Sequence, residues 1–268
     1  MIIQNATLTP ELKNFLERKV LEYNNPAFIK TDPICIPHLF SKKQDIEIAG
    51  FFAAIFAWGI RKTIINKSKL LMQLMDGSPH DFCLNHTNND LRKLEGFCHR
   101  TFNDTDLLYF ISFLKFHYSK HSSLESAFFN TKILKNQSPS ESLVELGLNN
   151  FYNYFFSLED VPYRSRKHIA SPQKKSTCKR LNMYLRWMVR DDKKGVDFGI
   201  WKTISPSQLI CPVDVHVARV AKSLQLLNRD TVDWLAAVEL TNALKELDPK
   251  DPVKYDFALF NLGVEERY

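Results

Sequence analysis

CPVDVHVARVAKSL, Cys211 to Leu224, sets an aspartate and a histidine inside a run of valines, two residues after Pro212. Val213, Val217, Val220 and Leu224 recur at helical spacing, so the segment predicts a helix with one buried face, starting at Asp214. A carboxylate at a helix start accepts hydrogen bonds from the first free backbone N–H groups, and such a cap contributes about 1 kcal/mol. Local physics therefore reads Asp214 as a cap. The segments upstream decide whether it is also something more.

The 268 residues suffice for one large domain or two lobes with an ample core, and 44% of them are hydrophobic. Only 8 glycines occur, and no GxGxxG or GxxxxGK[ST] string, which removes the usual support for a nucleotide-binding α/β fold. Helical periodicity dominates the rest. TPELKNFLERKVLEY (9–23) has Thr9 as a cap and Pro10 at the first helical position. The Pro-rich NNPAFIKTDPICIPHLF that follows predicts an extended connector. From Ile46 to Trp58 the chain is apolar nearly all round, as in a helix at the centre of a bundle. Ser138 or Ser140 with Glu141 and Glu145 predicts a further helix start, and Asp45 with Glu47 reads as a capping pair. No strand signal rivals these helices, so the fold class expected is all-α.

Formal charge is +6, and it is unevenly spread. Eleven Lys or Arg residues lie between Arg164 and Lys194, against Asp191 and Asp192 alone. A solvated basic helix is one reading of such a run; a phosphate-binding face is the other. Five cysteines without CxxC spacing argue against structural zinc and Cys-ligated iron–sulfur clusters, and fit reduced thiols in a cytoplasmic protein. No apolar run of eighteen residues and no export signal are present, so neither a membrane span nor secretion is expected. No metal and no cofactor is expected.

Val213, Asp214, His216, Val217, Arg219 and Val220 resemble the Val-Asp-x-His-φ-x-Arg-Val signature (φ, apolar) of the helix-hairpin-helix (HhH-GPD) base excision DNA glycosylases. Upstream, Lys179-Arg180-Leu181-Asn182-Met183-Tyr184-Leu185 resembles that superfamily's Lys-x-x-Asn-φ-φ-Leu block, in the same order relative to the aspartate. IEIAGFFAAIFAWGIRKTIINKSKLLMQL is similar to its first core helix pair. Where the family has Leu-Pro-Gly-x-Gly, this chain has Ser-Pro-Gln-Lys-Lys-Ser-Thr-Cys, and the four-cysteine cluster after the aspartate is absent. These departures resemble the archaeal 8-oxoguanine branch, and the whole chain most resembles an uncharacterised conserved bacterial family within or near the superfamily.

The resemblance implies a two-lobed helical bundle with a divergent hairpin, in one globular unit over 1–268. Its lobes would run over about 45–160, 161–225 and 226–268, the last packed with the N-terminal helix. It implies a monomeric enzyme that releases a damaged base from duplex DNA, an oxidised purine by preference, with or without strand-cleaving lyase activity. Asp214 would stabilise positive charge on the sugar, and Lys179 would attack C1′, with Lys175 and Lys174 as rivals for that role. Lys174, Lys175, Arg180, Arg186, Arg166, Lys167 and Arg219 would meet phosphates. Trp58, Trp187, Trp201 and His216 are candidates for the pocket that takes the flipped base. Two other classes remain open on the residues alone: an inactive nucleic-acid binder with this fold, and a helical scaffold for another protein.

Overall fold

The computed structural model describes residues 9–136 and 142–266. It is mostly helical, with the longer helices labelled in chain order: α1 (Pro10–Tyr23), α2 (Lys43–Phe56), α3 (Arg61–Leu74), α4 (Asp104–Tyr118), α5 (Leu143–Phe155), α6 (Lys179–Val189), α7 (Val215–Ser223), α8 (Trp234–Leu247) and α9 (Asp256–Val264). One antiparallel pairing of Cys98–His99 with Phe102–Asn103 forms the sheet found among the described residues. No helix among them is long and apolar enough to cross a membrane.

The chain divides into two compact units, one of Ile29–Ala170 and one of Met1–Phe28 with Ser171–Tyr268. The boundary before Ser171 cuts the 161–225 segment, leaving Arg164, Arg166 and Lys167 in the first unit and Lys174 onward in the second. Within the second unit α1 packs on α9.

In the Ile29–Ala170 unit, α2 is buried from Asp45 to Phe56, and its phenylalanines meet those of α4 and α5. Phe51 lies 5.7 Å from the rings of both Phe110 and Phe151. Asn103 and Asp106 close a reciprocal capping box at the start of α4. Asp106 also accepts from Ser165 Oγ at 2.7 Å and lies 3.2 Å from His168 Nε2, which ties the 163–168 turn down.

Two sequence expectations need correction here, and a third lies partly outside the described residues. The connector is not extended: Pro26–Ile29, Pro33–Cys35 and Pro37–Leu39 are each a helical turn opening on proline. Proline at a first helical position loses no hydrogen bond, and Asp32, extended before Pro33, caps the turn through Ile34 N–H. Asp45 and Glu47 do not cap their own helix. Asp45 accepts from His80 N–H at 2.8 Å, while the buried Glu47 takes Tyr118 O–H at 2.8 Å, Ser123 O–H at 2.5 Å and Leu124 N–H at 3.0 Å. The cap of α5 is Ser142, which accepts from Glu145 N–H; Ser138, Ser140 and Glu141 lie outside the described residues.

Candidate active site

Helix α6 starts abruptly. Cys178 before it is left-handed (φ 52°), as is Lys175 (φ 58°), and neither is glycine. A side chain in that region costs roughly 1–2 kcal/mol, so the surroundings must hold it. They do: Asn182 Nδ2 reaches back to Thr177 O at 2.9 Å, Cys178 N–H finds Ser176 Oγ at 3.1 Å, and Trp234 N–H donates to Lys175 O at 3.3 Å. The hairpin position thus keeps glycine-like turns without glycine, and Lys179 emerges as the first residue of α6.

Asp214 is the N-cap of α7. Its Oδ1 accepts from His216 N–H at 2.9 Å and Val217 N–H at 3.0 Å. Its Oδ2 is 3.8 Å from Lys179 Nζ. The two blocks read from sequence therefore converge: one carboxylate oxygen is fixed by backbone, and the other faces an amine. Both side chains are partly open to solvent, at 19% for Lys179 and 26% for Asp214. Met183 Sδ lies 3.7 Å from the amine, and the Phe260 ring centre 5.4 Å from it.

Behind the pair lies buried charge that periodicity hides. Every residue of α6 from Leu181 to Val189 is buried, so α6 is a core helix and not a solvated basic one. Arg186 donates Nη1 to Asp256, with its Nε 3.4 Å from Asp197 Oδ1. Arg190 binds Asp251 at 2.8 Å, Asp197 at 3.0 Å and Asp192 at 2.7 Å. Burial pushes the Asp256 carboxyl up to about 6, against the pull of Arg186 and Lys179.

The expected phosphate contacts divide accordingly. Lys174 and Lys175 are exposed beside Lys179 in sequence, on the turn before α6. Arg180 is half-buried, and burial lowers its pKa to about 10, which leaves it charged at neutral pH. Arg186 is spent on internal carboxylates and presents nothing to a phosphate, because a buried charge must be paired. Arg219 donates Nη2 to Gly263 O at 2.8 Å. Arg166, over the Phe156 ring at 5.0 Å, and the exposed Lys167 belong to the other unit.

Two of the aromatic candidates are core residues of the unit that holds the pair. Trp187 and Trp201 are completely buried, and Trp201 packs edge-on to Tyr184 at 5.3 Å. Both fill the core of their unit, where their size contributes most. Trp58 sits in the Ile29–Ala170 unit beneath the Arg100 guanidinium, 4.5 Å from its ring centre. His216 is exposed on the first turn of α7. Clefts of about 470 Å³ (Tyr109, Ser112, Glu159) and 570 Å³ (Phe40, Lys69, Met72) are lined by the Ile29–Ala170 unit and hold none of the candidate residues. Among the described residues no group of three or more His, Cys, Asp or Glu is arranged to hold a metal ion.

Met183, Phe260, Asp197 and Asp256 escaped sequence reading. Of these only Met183, four residues after Lys179 on α6, carried a signal in its spacing.

No curated protein and no solved structure matches the chain. The family model described as "Protein of unknown function (DUF2400)" matches residues 32–265, which takes in the Lys179 turn, Asp214 and Asp256 alike. The chain belongs to that family.

Proposed function

We propose that this protein is a base excision DNA glycosylase of the helix-hairpin-helix type, with Asp214 and Lys179 as its reacting pair. The observation that supports this best is the 3.8 Å approach of Lys179 Nζ to Asp214 Oδ2, between residues 35 positions apart in the sequence. Exposed Lys174 and Lys175 on the preceding turn add a place for backbone phosphates.

Breaking an N-glycosidic bond leaves positive charge on the sugar. A carboxylate already fixed by two backbone N–H groups pays no reorganisation when that charge appears. A lysine ammonium has no lone pair, so it first gives a proton to an acceptor, for which Asp214 Oδ2 is in place. The neutral amine then attacks C1′ as the C1′–N bond to the base breaks; the electron pair leaves with the base, which takes the proton from Asp214 and so restores the carboxylate. The attached nitrogen then loses a proton, its lone pair breaks the C1′–O4′ bond, and O4′ takes up a proton; the resulting iminium between Lys179 and C1′ is reduced by borohydride to a stable amine.

Borohydride trapping on a duplex carrying 8-oxoguanine is the test. A covalent adduct is expected in the wild type and is lost in Lys179→Gln. No adduct and no base release from any common oxidised, alkylated or deaminated base would defeat the enzyme reading. The same ion pair also supports a second reading, an inactive DNA binder, since a lysine held as a cation is no nucleophile. Duplex binding that falls steeply with salt, without base release, would select it.

A further inference from the structure

Helix α9 packs against the helices that carry both halves of the pair. Its first residue, Asp256, accepts from Arg186 of α6, and Phe260, one turn on, lies beneath the Lys179 amine. Lys179 and Arg186 are two turns apart on α6, so α9 grips that helix at both places. Towards its other end, Gly263 accepts from Arg219 of α7. A side chain at Gly263 would meet His216 Cβ at 3.1 Å and Val220 Cγ2 at 3.2 Å, so α7 lies directly against it. One helix therefore braces the helix that Lys179 begins and the helix that Asp214 caps.

Asp256 is only 5% exposed and stands among charges from α6, the loop after it and the segment entering α7. Lys179 and Arg186 face it from α6, Asp197 from the loop after α6, and Asp214 and the Cys211 thiol from the segment entering α7. The guanidiniums of Arg186 and Arg190 are met by four carboxylates, Asp192, Asp197, Asp251 and Asp256, so the cluster is short of positive charge. Burial and that shortage hold Asp256 far above the ordinary carboxylate range, with Asp214 and Asp197 adding to the rise.

We propose that Asp256 is a positioning residue for the Lys179–Asp214 pair, bracing it through Arg186 and α9 and setting, by its own ionisation, the charge the pair works against. This rests on Lys179 and Asp214 being the reacting pair. Ionised, Asp256 neutralises Arg186. Protonated, it takes one negative charge out of the cluster, and the potential at the Lys179 amine becomes more positive.

The experiment needs neither DNA nor turnover. The ¹³Cε resonance of Lys179, assigned by its loss in Lys179→Arg, is followed from pH 4.5 to 8 in the wild type and in Asp256→Asn. An inflection centred near 6 is expected in the wild type and is absent in Asp256→Asn. Should that variant fail to fold, Asp214→Asn replaces it: removing the Asp214 charge moves the inflection to lower pH. A flat Lys179 resonance in the wild type, an inflection that persists in Asp256→Asn, or a midpoint unmoved in Asp214→Asn overturns the proposal. Absent base release with the inflection present would defeat the glycosylase reading alone, and base release with a flat resonance would defeat this one alone.

Discussion

Asp214 carries two jobs on two oxygens, and two substitutions separate them. Asp214→Ala removes the cap from His216 N–H and Val217 N–H together with the partner of Lys179. The cap is worth about 1 kcal/mol. A partly exposed ion pair at 3.8 Å adds about 0.5 kcal/mol. The expected loss is therefore about 1–2 kcal/mol, a fall in Tm of roughly 3–6 °C for a chain of this size. Asparagine is as good a cap as aspartate, so Asp214→Asn keeps the backbone hydrogen bonds and loses about 0.5 kcal/mol. It also removes the charge that would stabilise the sugar cation. Thermal unfolding and base release are measured on all three proteins. Asp214→Asn should melt within about 2 °C of wild type yet release base at least about 100-fold more slowly. If Asp214→Asn melts as low as Asp214→Ala, the cap reasoning is wrong. If Asp214→Asn releases base at the wild-type rate, the carboxylate is only a cap.

Arg186→Met should lower stability by about 3–5 kcal/mol in urea unfolding, because Asp256 keeps its burial and loses its counter-ion, while Asp197 keeps only Arg190. Burial lowers the His117 pKa to about 4 while its ring is held by Ser123 O and Tyr154 O–H. Between pH 6.5 and 4 the unfolded chain binds the extra proton, so His117 contributes stability that is complete above 6.5 and lost as pH falls through that window. The loss is on the order of 3 kcal/mol and should shrink in His117→Asn, as read by urea midpoints at pH 7 and 4.5. Replacing Lys174 and Lys175 together by alanine should weaken duplex binding across all sequences and lower the slope of log K against log salt by about 2.

Much of the candidate site was legible because it rests on local rules. Asp214 at the start of a valine stripe gives the cap, and the cap gives a rigid carboxylate. Lys179 came from a resemblance to a known block and not from a local rule. What sequence could not supply was the fate of the basic run. Arg186 and Arg190 occur in the same composition as Lys174 and Lys175, yet α6 is enclosed on every side and turns the arginines inward to Asp197, Asp251 and Asp256. Those carboxylates lie 7 to 70 positions away, and no periodic pattern connects them. The tryptophans teach the same lesson. Trp187 and Trp201 are as apt for a pocket as for a core on sequence, and the packing of Tyr184 against Trp201 takes them for the core. The Pro-rich connector was misread because a proline that starts a helical turn looks, residue by residue, like one that prevents it.

The left-handed Lys175 and Cys178 tie the amine to a distant part of the chain. With glycine at both places the turn before α6 would keep its shape unaided. Here its shape is lent by neighbours, among them the backbone of Trp234 at the start of α8. The entry of α6, and with it the position of Lys179, thus inherits whatever stability α8 has. Damage at Asp233, which caps α8 through Ala236 N–H, would reach the amine without touching it. Substitution in this protein is therefore least forgiving at places a list of reacting residues would leave out.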